Sequence, residues 1–160
     1  MIVLGIGDYG ATSNPDEVIK TIGLGSCVAI VCTDTQSNIA GMIHIALPDS
    51  SLSPDRRVEK PGYFADTGIP ELFESLKRVG WRPGQDKLSI KLAGGATIMD
   101  PNGTFNIGKR NILAIKKILW GLGFGPVAED VGGNISRTVS VAANSGAVLV
   151  TSPARQPLNL

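Results

Sequence analysis

The chain has 160 residues, 42% of them hydrophobic and 18% charged, with a formal net charge of +1. That length suits one domain with a sizeable core, and the charge balance excludes a polybasic nucleic-acid binder or an acidic tail. Apolar stretches run to about nine residues at most, short of the roughly 18–20 that span a bilayer, and MIVLGIGDYG lacks the basic and apolar regions of a signal peptide. A cytoplasmic protein, not inserted in a membrane, is expected.

In chain order, strand-like runs fall at Ile2–Ile6, Val18–Ile22, Cys27–Thr33, Ile39–Leu47, Leu88–Ala93, Val127–Val131, Arg137–Ala142 and Ala147–Thr151. Two amphipathic helices are expected. One runs from Asp66, as its cap, to Val79, with Pro70 tolerated in the first turn and Gly80 as the stop. The other runs from Ile107 to Leu122 behind a cap at Asn106. Many strands with two helices predict an α+β fold. Ile39–Leu47 is apolar on both faces, so stacked sheets with helices outside are expected.

Gly5-Ile6-Gly7-Asp8-Tyr9-Gly10 matches GxGxxG, but a dinucleotide cradle needs that loop to open a helix. Ala11–Asp16 carries Ser, Asn and Pro and no helical periodicity, so no cofactor is assigned. Cys27 and Cys32 lie five apart in one strand-like run, roughly 16 Å between Cα atoms and on opposite faces. A disulfide requires less than about 7 Å, so both are expected to be free thiols. With a single histidine they cannot complete a four-ligand zinc site, and no metal is expected.

Cys27 follows Gly23-Leu24-Gly25-Ser26, a flexible turn entering a strand. Gly25 and Ser26 could leave backbone N–H groups aimed at a developing oxyanion, as a nucleophile needs. The competing reading is a small buried hydrophobe after an ordinary turn. His44, alone of its kind, could equally be a hydrogen-bonded core residue. A hairpin turning through Asp34–Asn38 brings residues near 27 opposite 44–46, however. A thiol beside an imidazole is expected to form a thiolate–imidazolium pair with a depressed thiol pKa. Thr21 could orient the imidazole or be simply a β-branched strand residue. Polar clusters with glycine also stand at Gly94–Ala96, Asn106–Asn111 and Glu129–Asn134, where turns and binding loops both occur.

Taken together, GLGSCV (23–28), HIALPDS (44–50), KPGYFAD (60–66), KLAGGA (91–96), NIGKRN (106–111) and EDVGGNISR (129–137) make the chain resemble the chemoreceptor glutamine deamidase family, CheD. The resemblance covers residues 1 to about 151 as one domain and leaves 152–160 as a flexible tail. It implies a mixed β-sandwich flanked by helices, similar to the deamidase domain of cytotoxic necrotizing toxins. It also implies a Cys-His-Thr set at Cys27, His44 and Thr21, and no cofactor. The implied substrates are glutamines on the cytoplasmic signalling domain of methyl-accepting chemotaxis proteins, with receptor methyl esters as a side activity. The implied partner is CheC, a phosphatase of phosphorylated CheY. Lys109, Arg110 and Arg137 are candidates for docking an acidic receptor helix. Two rivals stay open: a module that chiefly regulates a CheC-type phosphatase, and a cysteine amidase acting on small molecules.

Overall fold

The computed structural model describes residues 1–51, 53–98 and 102–160. Its first strands are β1 (Ile2–Leu4), β2 (Tyr9–Thr12), β3 (Val18–Leu24), β4 (Val28–Asp34) and β5 (Ile39–Ile45). Helix α1 (Pro54–Glu59), a single 3-10 turn (Pro61–Tyr63) and helix α2 (Ala65–Arg78) come next. The chain then forms β6 (Ser89–Gly94), α3 (Ile107–Gly121), β7 (Ala128–Val131), β8 (Arg137–Ala142), β9 (Val148–Ser152) and β10 (Arg155–Asn159).

The strands make two mixed sheets, ordered β1-β3-β8-β9-β10 and β2-β5-β4-β6-β7. The β4–β5 hairpin is the centre of the second sheet, and every residue in both strands is buried. Its turn closes on Asp34, whose Oδ1 accepts the Gln36 N–H at 3.1 Å, while Asn38 takes a left-handed φ of 54°. Alternation then sorts the side chains. Val28, Ile30, Cys32, Ile39, Ile43 and Ile45 pack against α2, α3 and Trp81. Ala29, Val31, Ala40 and Met42 face the first sheet, meeting Ile19, Val139, Val141 and Val150. The second sheet is thus the middle layer, covered on both faces as its two-sided apolarity predicts. Small residues on the inter-sheet side leave room there for one long polar side chain, that of His44.

The α+β class holds, and the eight expected strands and two helices form with ends shifted by a few residues. Helix α2 starts one residue early, at Ala65, so Pro70 lies in its second turn. Asp66 does not cap it; that carboxylate accepts the Ser50 N–H at 3.1 Å and the Ser50 hydroxyl at 2.7 Å. Residues 9–12 and 155–159, read as loop and tail, are strands.

The tail is the larger difference, because the boundary expected at 151 falls inside β9. Strand β10 pairs antiparallel with β9 through a bulge between Arg155 and Leu158. Arg155 binds Asp130 with two N–H groups, and the Leu160 N–H donates to the Val148 carbonyl at 2.9 Å. RQPLN carries no apolar alternation, and its proline is tolerated because β10 is an edge strand. Truncation after Ser152 should therefore lower unfolding free energy by about 1–2 kcal/mol, measured by urea denaturation. An unchanged midpoint would mean that the tail adds nothing to the fold.

Candidate active site

Thr21 stands on β3, in the first sheet, beside Leu4 of β1 and Val139 of β8. His44 reaches it from β5 across the inter-sheet space; Thr21 is fully buried and His44 is 2% exposed. The Thr21 hydroxyl lies 2.8 Å from the Leu4 carbonyl and 2.7 Å from His44 Nδ1. A hydroxyl has one proton, and a carbonyl can only accept, so that proton goes to Leu4. Thr21 Oγ1 must then accept Nδ1–H, which fixes the neutral tautomer with its lone pair on Nε2. Nε2 is buried and has no hydrogen-bond partner among the described residues. The His44 backbone is pinned too: its N–H donates to the Asp8 carbonyl at 3.0 Å, and its carbonyl accepts the Gly7 N–H at 2.8 Å. The Gly5–Gly10 loop accordingly leads into β2, opens no helix, and serves the histidine strand.

Cys27 is the residue before β4. The register pairs Ala29 with His44 and Val28 with Ile45, so Cys27 falls opposite Ala46 and on the same face as His44. Its half-buried side chain packs against the inter-sheet core, while Cys32 points to the helices and is fully buried. The two thiols are free, on opposite faces as expected. No hydrogen bond joins the Cys27 thiol to Nε2 in this state, and such bonds commonly tighten only with substrate present.

The electrostatics bear on the expected thiolate–imidazolium pair. Burial pushes the Cys27 thiol above its ordinary pKa, with its own backbone N–H opposing in part. Burial pulls His44 down to about 4, while Asp8 raises it and Lys60 lowers it further. Burial alone pushes Cys32 up to about 12. Burial thus favours the neutral form of both groups over a thiolate–imidazolium pair. The inter-sheet space is apolar, and the third group, Thr21, carries no charge to stabilise an imidazolium.

The turn before Cys27 is held by backbone contacts. The Cys27 carbonyl accepts the Gly95 N–H at 2.9 Å, and the Gly25 carbonyl accepts the Ala96 N–H at 2.8 Å. The Ser26 carbonyl accepts Asn111 Nδ2–H at 3.0 Å. Gly25 and Ser26 thus have their carbonyls tied down, and the backbone donor nearest in sequence to the sulfur is the N–H of Cys27 itself. A Cβ on Gly25 would meet nothing nearer than Ile98 Cδ1 at 3.9 Å, whereas one on Gly94 would sit 2.2 Å from the Cys27 carbonyl oxygen. The close approach that requires glycine lies on β6, not in the turn itself.

Lys109 and Arg110 are exposed in the first turn of α3. Gly108, just before them, packs on the Gly95 carbonyl, so this turn borders the Cys27 loop. Arg137 is different. It is 3% exposed, and its guanidinium is engaged by Asp130 Oδ2 at 3.1 Å and the Gly94 carbonyl at 3.3 Å. That places it beneath the surface, bracing the Gly94 turn, rather than on a docking face. Asn111 was missed as a site residue; its position in NIGKRN, beside a glycine and two cations, was the only signal.

A thiol, an imidazole whose buried nitrogen has no partner among the described residues, and a threonine hydroxyl on an α+β frame are chemically able to carry acyl transfer at cysteine. The chain belongs to the CheD family: the profile described as CheD chemotactic sensory transduction matches residues 46–152. It is 53% identical over 154 residues to the probable chemoreceptor glutamine deamidase CheD of Syntrophotalea carbinolica, covering 96% of this chain and 95% of that one. It is 47% identical to the probable chemoreceptor glutamine deamidase CheD 2 of Anaeromyxobacter dehalogenans, over 95% and 94% of the two chains. It is 43% identical to the chemoreceptor glutamine deamidase CheD of Thermotoga maritima, over 92% and 89%. The profile match begins after Thr21, Cys27 and His44, so the geometry around those three stands apart from it.

Two measurements check the neutral pair. Because the folded His44 pKa lies below the unfolded value of about 6.5, the unfolded chain binds more protons between roughly pH 6.5 and 4. Stability should fall as pH drops through that window and level off below it. At pH 4.5 the loss from this group should be about 2 kcal/mol relative to pH 7, and His44→Asn should remove that component. Iodoacetamide should alkylate Cys27 at a rate still climbing beyond about pH 8.5. A plateau below pH 7 would instead reveal a preformed ion pair.

Proposed function

We infer that this chain is a chemoreceptor glutamine deamidase, converting glutamine side chains to glutamate with release of ammonia, in chemotactic signalling. The names of its relatives supply the substrate class. The observation that carries the chemistry is the unpartnered Nε2 of His44 on the face shared with the Cys27 thiol.

With both groups neutral, His44 Nε2 takes the thiol proton as the sulfur attacks the carboxamide carbon. The oxyanion forms against the Cys27 N–H, and such a donor is worth about 3–4 kcal/mol in the transition state. The imidazolium then returns its proton to the amide nitrogen, the C–N bond breaks, and ammonia leaves a thioester. Water, deprotonated by Nε2, attacks that thioester; its collapse yields the glutamate and restores the thiol. The imidazolium lives beside the oxyanion and not before it, so the stabilisation is specific to the transition state. Thr21 holds Nδ1–H throughout. A nucleophile at a strand entrance between two sheets also supports the likeness to the toxin deamidase domain.

The substrate segment is proposed to be the helical cytoplasmic signalling domain of the receptor. Arg110, Leu113 and Lys117 follow helical spacing along α3, with Leu113 58% exposed between the two cations. They line an open groove of about 620 Å³ with Pro48, Asp49 and Asp66, an apolar centre ringed by both charges and suited to an amphipathic helix. No helix among the described residues is long and apolar enough to cross a membrane.

Incubation with a glutamine-bearing receptor signalling fragment, read by mass spectrometry, tests the reading. A gain of about 1 Da per site is the mass change of amide-to-acid conversion, and Cys27→Ala should abolish it. Conversion that persists in Cys27→Ala would overturn the mechanism, and none by wild type would overturn the function. Thr21→Val should keep the fold and lower kcat by at least about tenfold, through loss of the tautomer lock.

A further inference from the structure

Strand β4 lies antiparallel to β6, with Val28 opposite Gly94. In a continued ladder Cys27 and Gly95 would exchange two hydrogen bonds. Only half of that exchange is present: the Gly95 N–H donates to the Cys27 carbonyl at 2.9 Å. Gly94 and Gly95 take φ values of 118° and 69°, and this left-handed turn swings the Gly95 carbonyl onto Gly108 of α3. A Cβ on Gly108 would lie 2.4 Å from that oxygen. The Cys27 N–H is thereby deprived of its ladder acceptor.

A freed N–H is useful only if it is aimed. Resonance holds the peptide planar and trans, so the Ser26 carbonyl and the Cys27 N–H point in opposite directions from one rigid plane. Whatever fixes the Ser26 oxygen also fixes the donor. That oxygen accepts from Asn111 Nδ2 at 3.0 Å, and the second proton of the same NH2 group goes to the Ala46 carbonyl, also at 3.0 Å. Ala46 stands opposite Cys27, two residues beyond His44. One amide therefore ties the nucleophile's peptide to the strand that carries the base.

Two neighbouring carbonyls cannot satisfy each other. They need one neutral group with two protons, which among side chains is a carboxamide; lysine or arginine would bring charge into a buried site. Asn111 is fully buried, and its Oδ1 has no partner among the described residues. An orphaned buried acceptor is a cost to the fold, and sites that break such rules tend to serve function. We propose that Asn111 is the positioning residue of the oxyanion site, locking the Ser26–Cys27 peptide so that the Cys27 N–H meets the tetrahedral intermediate. It acts through that peptide and touches no substrate. The proposal rests on the deamidase reading.

The test compares two reactions of one thiol. Deamidation builds charge on a carbonyl oxygen, whereas alkylation by iodoacetamide displaces iodide at a saturated carbon and builds none. In Asn111→Ala, kcat for the receptor fragment should fall by about 10²–10³-fold. KM and the alkylation rate at each pH should stay within about threefold of wild type. If Asn111→Ala does not fold, Asn111→Ser, whose hydroxyl can hold one of the two carbonyls, should fold and lose kcat by about 10–100-fold. A kcat within threefold of wild type in a folded variant would overturn the proposal. So would a parallel fall of deamidation and alkylation, which is what a merely structural role produces. Wild type inactive on the fragment would sink the deamidase reading itself, a result distinct from either.

Discussion

The hydrogen bond between Thr21 and His44 spans the gap between two stacked sheets, and the arrangement of the site follows from it. Each partner sits on the inward face of its strand, beside Ile19 and Met42 that are buried for independent reasons, so the 2.7 Å separation is set by how closely the sheets approach. That approach depends on the small residues Ala29, Ala40 and Ala93 on the inward face of the second sheet. Larger side chains there would hold the sheets apart and leave the imidazole without its acceptor. The bond also has a direction. Because the Leu4 carbonyl takes the threonine proton, the chain's first strand decides which imidazole nitrogen remains open.

A neutral third group in an apolar gap carries a cost and a gain. It cannot stabilise an imidazolium as a carboxylate would, and His44 is accordingly hard to protonate at rest. Burial likewise pushes the Cys27 thiol up. In the proposed mechanism charge appears only during attack, when oxyanion and imidazolium arise together and a fixed N–H is already in place. A resting thiolate would attract oxidants and stray electrophiles, whereas a neutral thiol is reactive only where a carbonyl is held against its donor.

How much of this was legible in the sequence depended on separation along the chain. The Cys27–His44 pairing was readable because a short turn fixes register and strand periodicity fixes the face. Thr21 was not readable from physics: it belongs to the other sheet, and the stacking that brings it to His44 leaves no local pattern. Asn111 lies 85 residues from Ser26 and presents only as a polar residue in a helix start. Arg137 looked like a surface cation because arginine usually is one; its burial goes with Asp130 on β7, in the other sheet, and with the Gly94 carbonyl. Strand β10 escaped because an edge strand needs neither alternation nor freedom from proline.

Those long-range contacts share one character: they end on backbone. Asn111 holds the carbonyls of Ser26 and Ala46, Arg137 holds that of Gly94, and Thr21 is held by that of Leu4. Gly95 and Ala96 bind the carbonyls of Cys27 and Gly25. Two side chains, Asn111 and Arg137, and two backbone N–H groups thus fix the peptide planes around one cysteine, and peptide planes are stiff. Preorganisation of this kind costs little when the reaction occurs, because no dipole has to turn as charge develops. It does demand that strands, α3 and the β8 brace be in place together. Asp130 connects that brace to the last strand through Arg155. The closing edge of the first sheet and the nucleophile's turn therefore belong to one polar network, and the residues past β9 are part of the frame that holds Cys27.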